Sequence, residues 1–215
     1  MEILIVFLPL LAAIISGFFG NKLGNRFSEI LTSLFVSISA IFSIYIFYNV
    51  MINDYNSNII ISSWISSGTL EVNWSIKIDP LSSVMLVVVT FISSLVHIYS
   101  IGYMHHDPHK PRFMSYLSLF TFSMVMLVTA DSYLLCIWGW ESVGICSYLL
   151  INFWYTRIQA NKSAIKAMIM NRVGDMTLFL GMFAIFVVFN TLDYSTIFSS
   201  AYKLSDYTII FLNYE

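Results

Sequence analysis

Six long apolar runs separated by short polar segments organise the chain, at roughly 3–20, 29–50, 80–103, 113–130, 133–154 and 164–190. Each is about 18 residues or longer, enough to cross the hydrocarbon core of a bilayer as a helix. Lipid offers no partner to an open backbone, so such runs become helices, with every N–H and C=O bonded internally. The last run is long enough to tilt or to extend beyond the bilayer. One stretch breaks the pattern. In 58–79, Ile59-Ile60-Ile61 and Leu70-Glu71-Val72-Asn73-Trp74-Ser75-Ile76-Lys77-Ile78 flank Ser66-Ser67-Gly68. The second of these segments alternates apolar and polar residues with period two, which predicts a short β-hairpin outside the membrane. The expected fold is an all-α polytopic membrane protein with about six transmembrane helices and one outer hairpin.

Composition agrees. The 215 residues are 58% hydrophobic and 10% charged, with a mean hydropathy of +0.79, whereas soluble domains carry about 25% charged residues. The net charge of −2 says little, because orientation follows the placement of Lys and Arg. Lys22, Arg26, Lys110, Arg112, Arg157, Lys162 and Lys166 fall in or beside loops of one face, seven of the ten cations. The opposite face holds Asp54, Glu71, Asp79, Asp131 and Asp193, with Lys77 and Lys203. The positive-inside rule therefore places the N-terminus outside. Glu2 stands where a signal peptide would carry positive charge, so the first run is expected to remain as a span. Pro9 within it requires a neighbour to satisfy the freed carbonyl.

Several polar residues lie within these runs. Glu141 is the only ionisable group between Leu134 and Trp154, and a carboxylate at mid-bilayer costs roughly 2.5–3.5 kcal/mol on insertion scales. Two readings fit it: a protonated carboxyl bonded between helices for structure alone, or a group with a raised pKa that takes and releases a proton. Gly139 and Gly144 could admit a close helix or water beside it. Arg172 and Asp175, three apart in the sixth run, share a helix face and can pair, as structure or as a relay. His97, toward the inner end of the third run, fits a bonded core histidine and a wet-path residue equally well.

His105, His106 and His109 follow in a loop that has no helix to fix a metal-ligand spacing, so no metal site is expected. Lys162 and Lys166 mark a helix entrance on the inner face. Cys136 and Cys146 lack CxxC spacing and read as buried thiols. Trp138, Trp140 and Trp154 fit interfacial anchors, and Trp138 and Trp140 equally fit packing beside Glu141 in a helix bundle. The chain shows no dinucleotide fingerprint, phosphate loop or haem motif, and no basic patch suited to nucleic acid.

Several longer motifs carry a resemblance. They are His97-Ile98-Tyr99-Ser100-Ile101-Gly102-Tyr103-Met104, Asp107-Pro108-His109, and Arg112-Phe113-Met114-Ser115-Tyr116-Leu117-Ser118-Leu119-Phe120-Thr121-Phe122. Trp140-Glu141 with Val143-Gly144, Cys146-Ser147-Tyr148-Leu149-Leu150, Lys166-Ala167-Met168 and Asn171-Arg172-Val173-Gly174-Asp175 complete the set. Together they resemble the largest antiporter-like membrane subunit of respiratory complex I. The resemblance implies a proton-pumping module of NADH:ubiquinone oxidoreductase, in which Glu141 is the proton-path carboxylate and Arg172 and Asp175 support the channel. It implies no cofactor on this chain; NAD, FMN, iron–sulfur clusters and ubiquinone belong elsewhere in the complex.

The implied partners are the bilayer and the other membrane subunits, above all a neighbouring antiporter-like one. The implied location is the mitochondrial inner membrane or, alternatively, an alphaproteobacterial plasma membrane. Residues 1–112 would be the N-terminal helices with the hairpin, and 113–215 the start of the first antiporter-like repeat. Ser142 departs from the family's glycine beside the glutamate and adds a hydroxyl there. Family members are also much longer, with two inverted repeats. The expectation is that Glu141 lacks its family lysine partner here, with a separate polypeptide carrying the remainder or the chain being truncated, and that Tyr207–Leu212 begins further membrane structure. The alternatives are a subunit of a cation/proton antiporter complex, and a structural fragment that conducts nothing.

Overall fold

A computed structural model of the chain describes residues 1–202 except Thr69; Lys203 and Tyr207–Leu212 lie outside the described residues. Helix α1 (Glu2–Ile14) continues through a π-helical turn, Ile15–Phe19, into the short α2 (Gly20–Leu23). Gly24, at φ +94°, adopts a backbone that side-chain-bearing residues rarely do, and the chain reverses there into α3 (Asn25–Asn53). Strands β1 (Ser57–Ser67) and β2 (Leu70–Ile78) follow, then α4 (Pro80–Tyr103), α5 (Lys110–Val128), α6 (Tyr133–Ile151), α7 (Ile158–Phe189) and the short α8 (Tyr194–Ala201). Among the described residues, six segments could cross a membrane by length and composition: Glu2–Phe19, α3, α4, α5, α6 and α7.

The expected spans are all present, with shifted ends. α3 starts four residues early because helix resumes directly after Gly24, and α5 starts at Lys110 because Pro111 suits a first helical turn, where no N–H is needed. α7 begins at Ile158, six residues before its apolar run, since Gln159, Ala160 and Lys162 favour a helix although the stretch is mostly polar. The hairpin forms antiparallel from Ser57↔Ile78 to Ser67↔Leu70, with irregularities between Ile60 and Ser62 and between Ser63 and Ile65. Gly68 supplies φ +60° at its turn. Asp79 and Ser82 close a reciprocal cap at the start of α4, followed by Pro80.

Proline 9 explains one contact between spans. Its ring removes the N–H that would bond the Ile5 carbonyl, and Ser39 Oγ on α3 donates to that oxygen at 2.8 Å instead. Similar hydroxyl links tie α1 to α5: Ser115 Oγ donates to Ala13 O at 2.7 Å, and Ser16 Oγ to Pro111 O at 2.9 Å. Small hydroxyl residues let helices approach closely while each O–H finds an acceptor. The apolar core joins Ile5 and Val6 of α1, Ile46 and Val50 of α3, Leu86 of α4, Val125 and Met126 of α5, and Leu135 of α6. Ile76 and Ile78 of β2 join it too, and Trp74 stacks edge-on with Trp138 at 4.8 Å. The hairpin therefore seals one end of the bundle.

At that end Asp131, 4% exposed, gathers the hairpin and two loops. Asn58 Nδ2 and Ser75 Oγ donate to its Oδ2, and Lys77 Nζ lies 3.6 Å from Oδ1. Tyr194 N donates to the Asp131 carbonyl at 3.1 Å. Burial, and then the Asp131 charge, push the neighbouring Asp193 carboxyl above the usual range. Nearby, Glu2 accepts from Tyr55 and Ser57, and the Tyr55 bond raises that phenol's pKa.

Candidate functional site

Helices α6 and α7 run antiparallel, so Gly144 lies beside Asn171, Glu141 meets Arg172 and Trp140 meets Asp175. α6 sits close against α5 because Gly139 has no side chain: a Cβ there would come within 2.7 Å of Leu127 Cα. This contact fixes one face of α6 on α5 and turns Glu141 toward α7. Arg172 Nη1 donates to Glu141 Oε1 at 2.7 Å, while its separation from Asp175 Oδ2 is 3.9 Å. The spacing of three residues predicted an Arg172–Asp175 pair. That contact exists, but the shorter bond runs between helices, because the long Arg side chain reaches across the interface.

Asp175 is held separately. Trp140 Nε1 donates to its Oδ1 at 3.0 Å, and its side chain is only 7% exposed. Sequence reasoning offered Trp140 as an anchor or as packing and missed this role. The signal was present, because an indole N–H away from water needs an acceptor and can only donate. The four groups line a small cleft with Gly144, Ile145, Met168 and Asn171. Two carboxylates share one guanidinium there, so the arrangement can hold one excess negative charge or take up one proton. Ser142 Oγ donates to Trp138 O at 2.8 Å, so the extra hydroxyl bonds its own helix.

His97 lies elsewhere, buried between α4 and α5 with its Nδ1 2.8 Å from Ser93 O and Nε2 3.0 Å from Ser118 Oγ. His105 and His106 stack edge-on in the following loop, 5.0 Å apart. Among the described residues no cluster of three or more His, Cys, Asp or Glu could hold a metal ion. Both cysteines are free, with Cys146 buried beside Ser123. Trp138 packs on Phe122 and Trp74, and Trp154 Nε1 donates to Asp107. The sequence reading also passed over a second buried ion pair, Lys110 Nζ to Glu29 Oε1 at 3.3 Å, because each residue sits at the edge of an apolar run.

The sequence profile described as "NADH-Ubiquinone oxidoreductase (complex I), chain 5 N-terminus" matches residues 64–114, and that described as "NADH:quinone oxidoreductase/Mrp antiporter, TM" matches 130–214. The protein named NADH-ubiquinone oxidoreductase chain 5 from Chondrus crispus is 53% identical over 215 residues, covering 100% of this chain and 32% of the relative. The protein of that name from Triticum aestivum is 55% identical, covering 94% of this chain and 30% of the relative. This chain belongs to the chain 5 family of complex I membrane subunits. It spans about a third of the length of the family members it matches.

Among solved structures, the Mrp complex from Dietzia sp. DQ12-45-1b contains a chain with a TM-score of 0.79 at 19% identity, covering 95% of this chain and 22% of that one. A chain of the archaeal membrane-bound sulfane sulfur reductase gives 0.73 at 15% identity, covering 89% and 38%. At such identities the likeness is one of fold. This chain thus shares its helix arrangement with chains of two other membrane complexes.

Proposed function

We propose that this chain is the N-terminal part of a proton-translocating subunit of NADH:ubiquinone oxidoreductase, in which Glu141 takes up and releases the transported proton. The observation that carries this reading is the Glu141–Arg172 bond of 2.7 Å across two membrane-spanning helices, with Asp175 beside it. An arginine stays protonated at any physiological pH. When Arg172 turns from Glu141 toward Asp175, Glu141 loses its counter-charge and favours the proton; when it returns, the proton is released. Trp140 holds Asp175 as the alternative acceptor for the guanidinium. Transport then needs only a shift of about one ångström in a half-exposed side chain.

In this reading the hairpin end, with the N-terminus, faces the outer compartment and the Lys110–Arg112 end faces the matrix, as the cation placement implies. The membrane is the mitochondrial inner membrane, in keeping with relatives from mitochondria-bearing organisms. Electron transfer, with its NAD, FMN, iron–sulfur and ubiquinone sites, resides in other subunits of the complex. Residues 113–215 begin the first antiporter-like repeat. The lysine partner that the family resemblance implies for Glu141 is supplied by sequence beyond these residues or by a companion polypeptide.

The test is Glu141→Gln in the assembled complex. The swap keeps shape and removes titration, so proton flux through this subunit should fall by ~10²-fold or more, with NADH oxidation and assembly retained. Unchanged pumping would leave a structural membrane segment as the account. A cation/proton antiporter would instead show exchange in vesicles lacking flavin and iron–sulfur subunits.

A further inference from the structure

A buried histidine lies outside the site just described. His97 is fully enclosed, at 0% exposure, two helices away from Glu141. Its Nδ1 sits 2.8 Å from a backbone carbonyl, Ser93 O, which can only accept, so Nδ1 carries the proton. Nε2 is therefore the acceptor, and Ser118 Oγ donates to it at 3.0 Å. Ser118 differs from its neighbours on α5. Thr121 and Ser123 donate to carbonyls one turn back, and Ser115 donates to Ala13 O. Among the described residues, His97 Nε2 is the only hydrogen-bond partner of Ser118 Oγ. This hydroxyl can reverse without stranding another group.

The second observation is the Glu29–Lys110 pair at the end of this bundle that carries the α5 N-terminus. Both side chains are largely enclosed, at 6% and 12% exposure. Glu29 Oε1 is buried without a hydrogen-bond partner of good geometry. Ser118 lies eight residues beyond Lys110, about 12 Å along the helix. Thr32, one turn on from Glu29, and Ser100, one turn on from His97 toward the α4 C-terminus, are buried too, and their hydroxyls donate to carbonyls of their own helices. α3 and α5, packed against α4, thus bring one buried carboxylate and one buried ammonium to the His97 side. Arg26, Tyr45 and Tyr48 on α3 are exposed, and Arg112 on α5 bonds Phe153 O. The half-buried Tyr116 adds a phenol on α5, and β2 meets α4 with Lys77 bound to Asp131.

We propose that His97 is a second proton-loading site of this subunit, serving the α3–α4–α5 bundle from the Glu29–Lys110 end. The proposal rests on the pumping function inferred above. A proton arriving at Nε2 converts the ring to imidazolium. Ser118 rotates and accepts from the new Nε2–H, turning its own O–H to a carbonyl one turn back on α5 as Thr121 and Ser123 do, while Nδ1–H stays on Ser93 O. Loss of that proton restores the neutral ring and the original Ser118 donor, so the cycle balances in protons and leaves no buried donor unpaired.

The experiment compares His97→Gln, Ser118→Ala and Glu141→Gln in the whole complex, reconstituted in vesicles, with protons moved per NADH and its pH profile as readouts. Gln can reproduce both hydrogen bonds of His97, one donated and one accepted, but cannot titrate. A purely structural histidine is therefore rescued by Gln, and a loading site is not. The expected result is assembly and NADH oxidation near normal, protons per NADH at least about twofold lower, and a flattened pH profile. Should His97→Gln fail to assemble, Ser118→Ala decides by the same ratio and profile. Normal pumping in the deciding variant together with loss in Glu141→Gln would overturn the His97 proposal alone. Normal pumping in Glu141→Gln as well would overturn the pumping function itself.

Discussion

Helices α5 and α7 are both long and apolar, yet half of the apolar window of α5 is buried against 11% for α7. α5 contacts α1, α3, α4 and α6, and beyond its first turns its buried polar side chains are the small hydroxyls of Ser115, Ser118, Thr121 and Ser123. α7 buries only Ala164, Asp175 and Met182, with Ile169, Met176, Leu180 and Val187 exposed. The contrast separates two uses of polarity in an apolar setting. In the α1–α3–α4–α5 bundle, hydroxyls bond backbone carbonyls and let helices approach closely. At the α6–α7 margin, full charges meet across a looser interface where Arg172 keeps a 53% exposed side chain. At Glu141 the looser interface leaves the guanidinium room to move between two carboxylates.

Removing Arg172 should give the largest effect on this contrast. Arg172→Ala leaves Glu141 and Asp175 with no cation between them, and stripping one partner from a buried pair costs about 3–5 kcal/mol. Partial exposure lowers that figure, so the expected outcome is reduced assembly on native gels, relieved by Arg172→Lys. Near-normal assembly with selective loss of pumping would leave Arg172 as the moving counter-charge alone, with no share in holding the helices together. Core truncation comes next. Leu86→Ala, at a residue 1% exposed, should lower stability in detergent by about 2–5 kcal/mol. Leu180→Ala, at 68% exposure, should stay within about 0.5 kcal/mol. Equal losses would mean that α7 is as tightly covered as α5.

The smallest effect is expected at the hairpin end. The folded state raises the Asp193 pKa through burial, so the folded form holds its proton more firmly than the unfolded form does. Stability from this group is complete below its unfolded pKa and is lost as pH rises through the folded value. The protection factor of the Tyr194 amide, corrected for intrinsic exchange, should therefore be higher at mildly acidic pH than at neutral pH, and Asp193→Asn should remove the difference.

The six spans and the hairpin were readable, because period and run length report burial directly. Arg172–Asp175 was readable for the same reason, being a spacing within one helix. The Arg172–Glu141 bond was not, since 31 residues separate the partners and only the antiparallel crossing of α6 and α7 aligns them. Trp140 was ambiguous because the ring satisfies both an interface and a core until its N–H acceptor is known. Glu29–Lys110 and the Asp131 cluster were invisible for another reason. Their residues sit where apolar runs end, and sequence cannot tell a solvated end from one sealed by a hairpin or a neighbouring helix.

The central claim is that Glu141 changes protonation as the complex works. Infrared difference spectra between resting and NADH-driven complex, recorded for the unaltered protein and for Glu141→Gln, test it most directly. The account predicts a carboxylic acid C=O band that appears and disappears with turnover, shifts in deuterated water, and is missing from the Gln variant. A band set identical in the two proteins would contradict it and leave Glu141 as a fixed member of a structural ion pair.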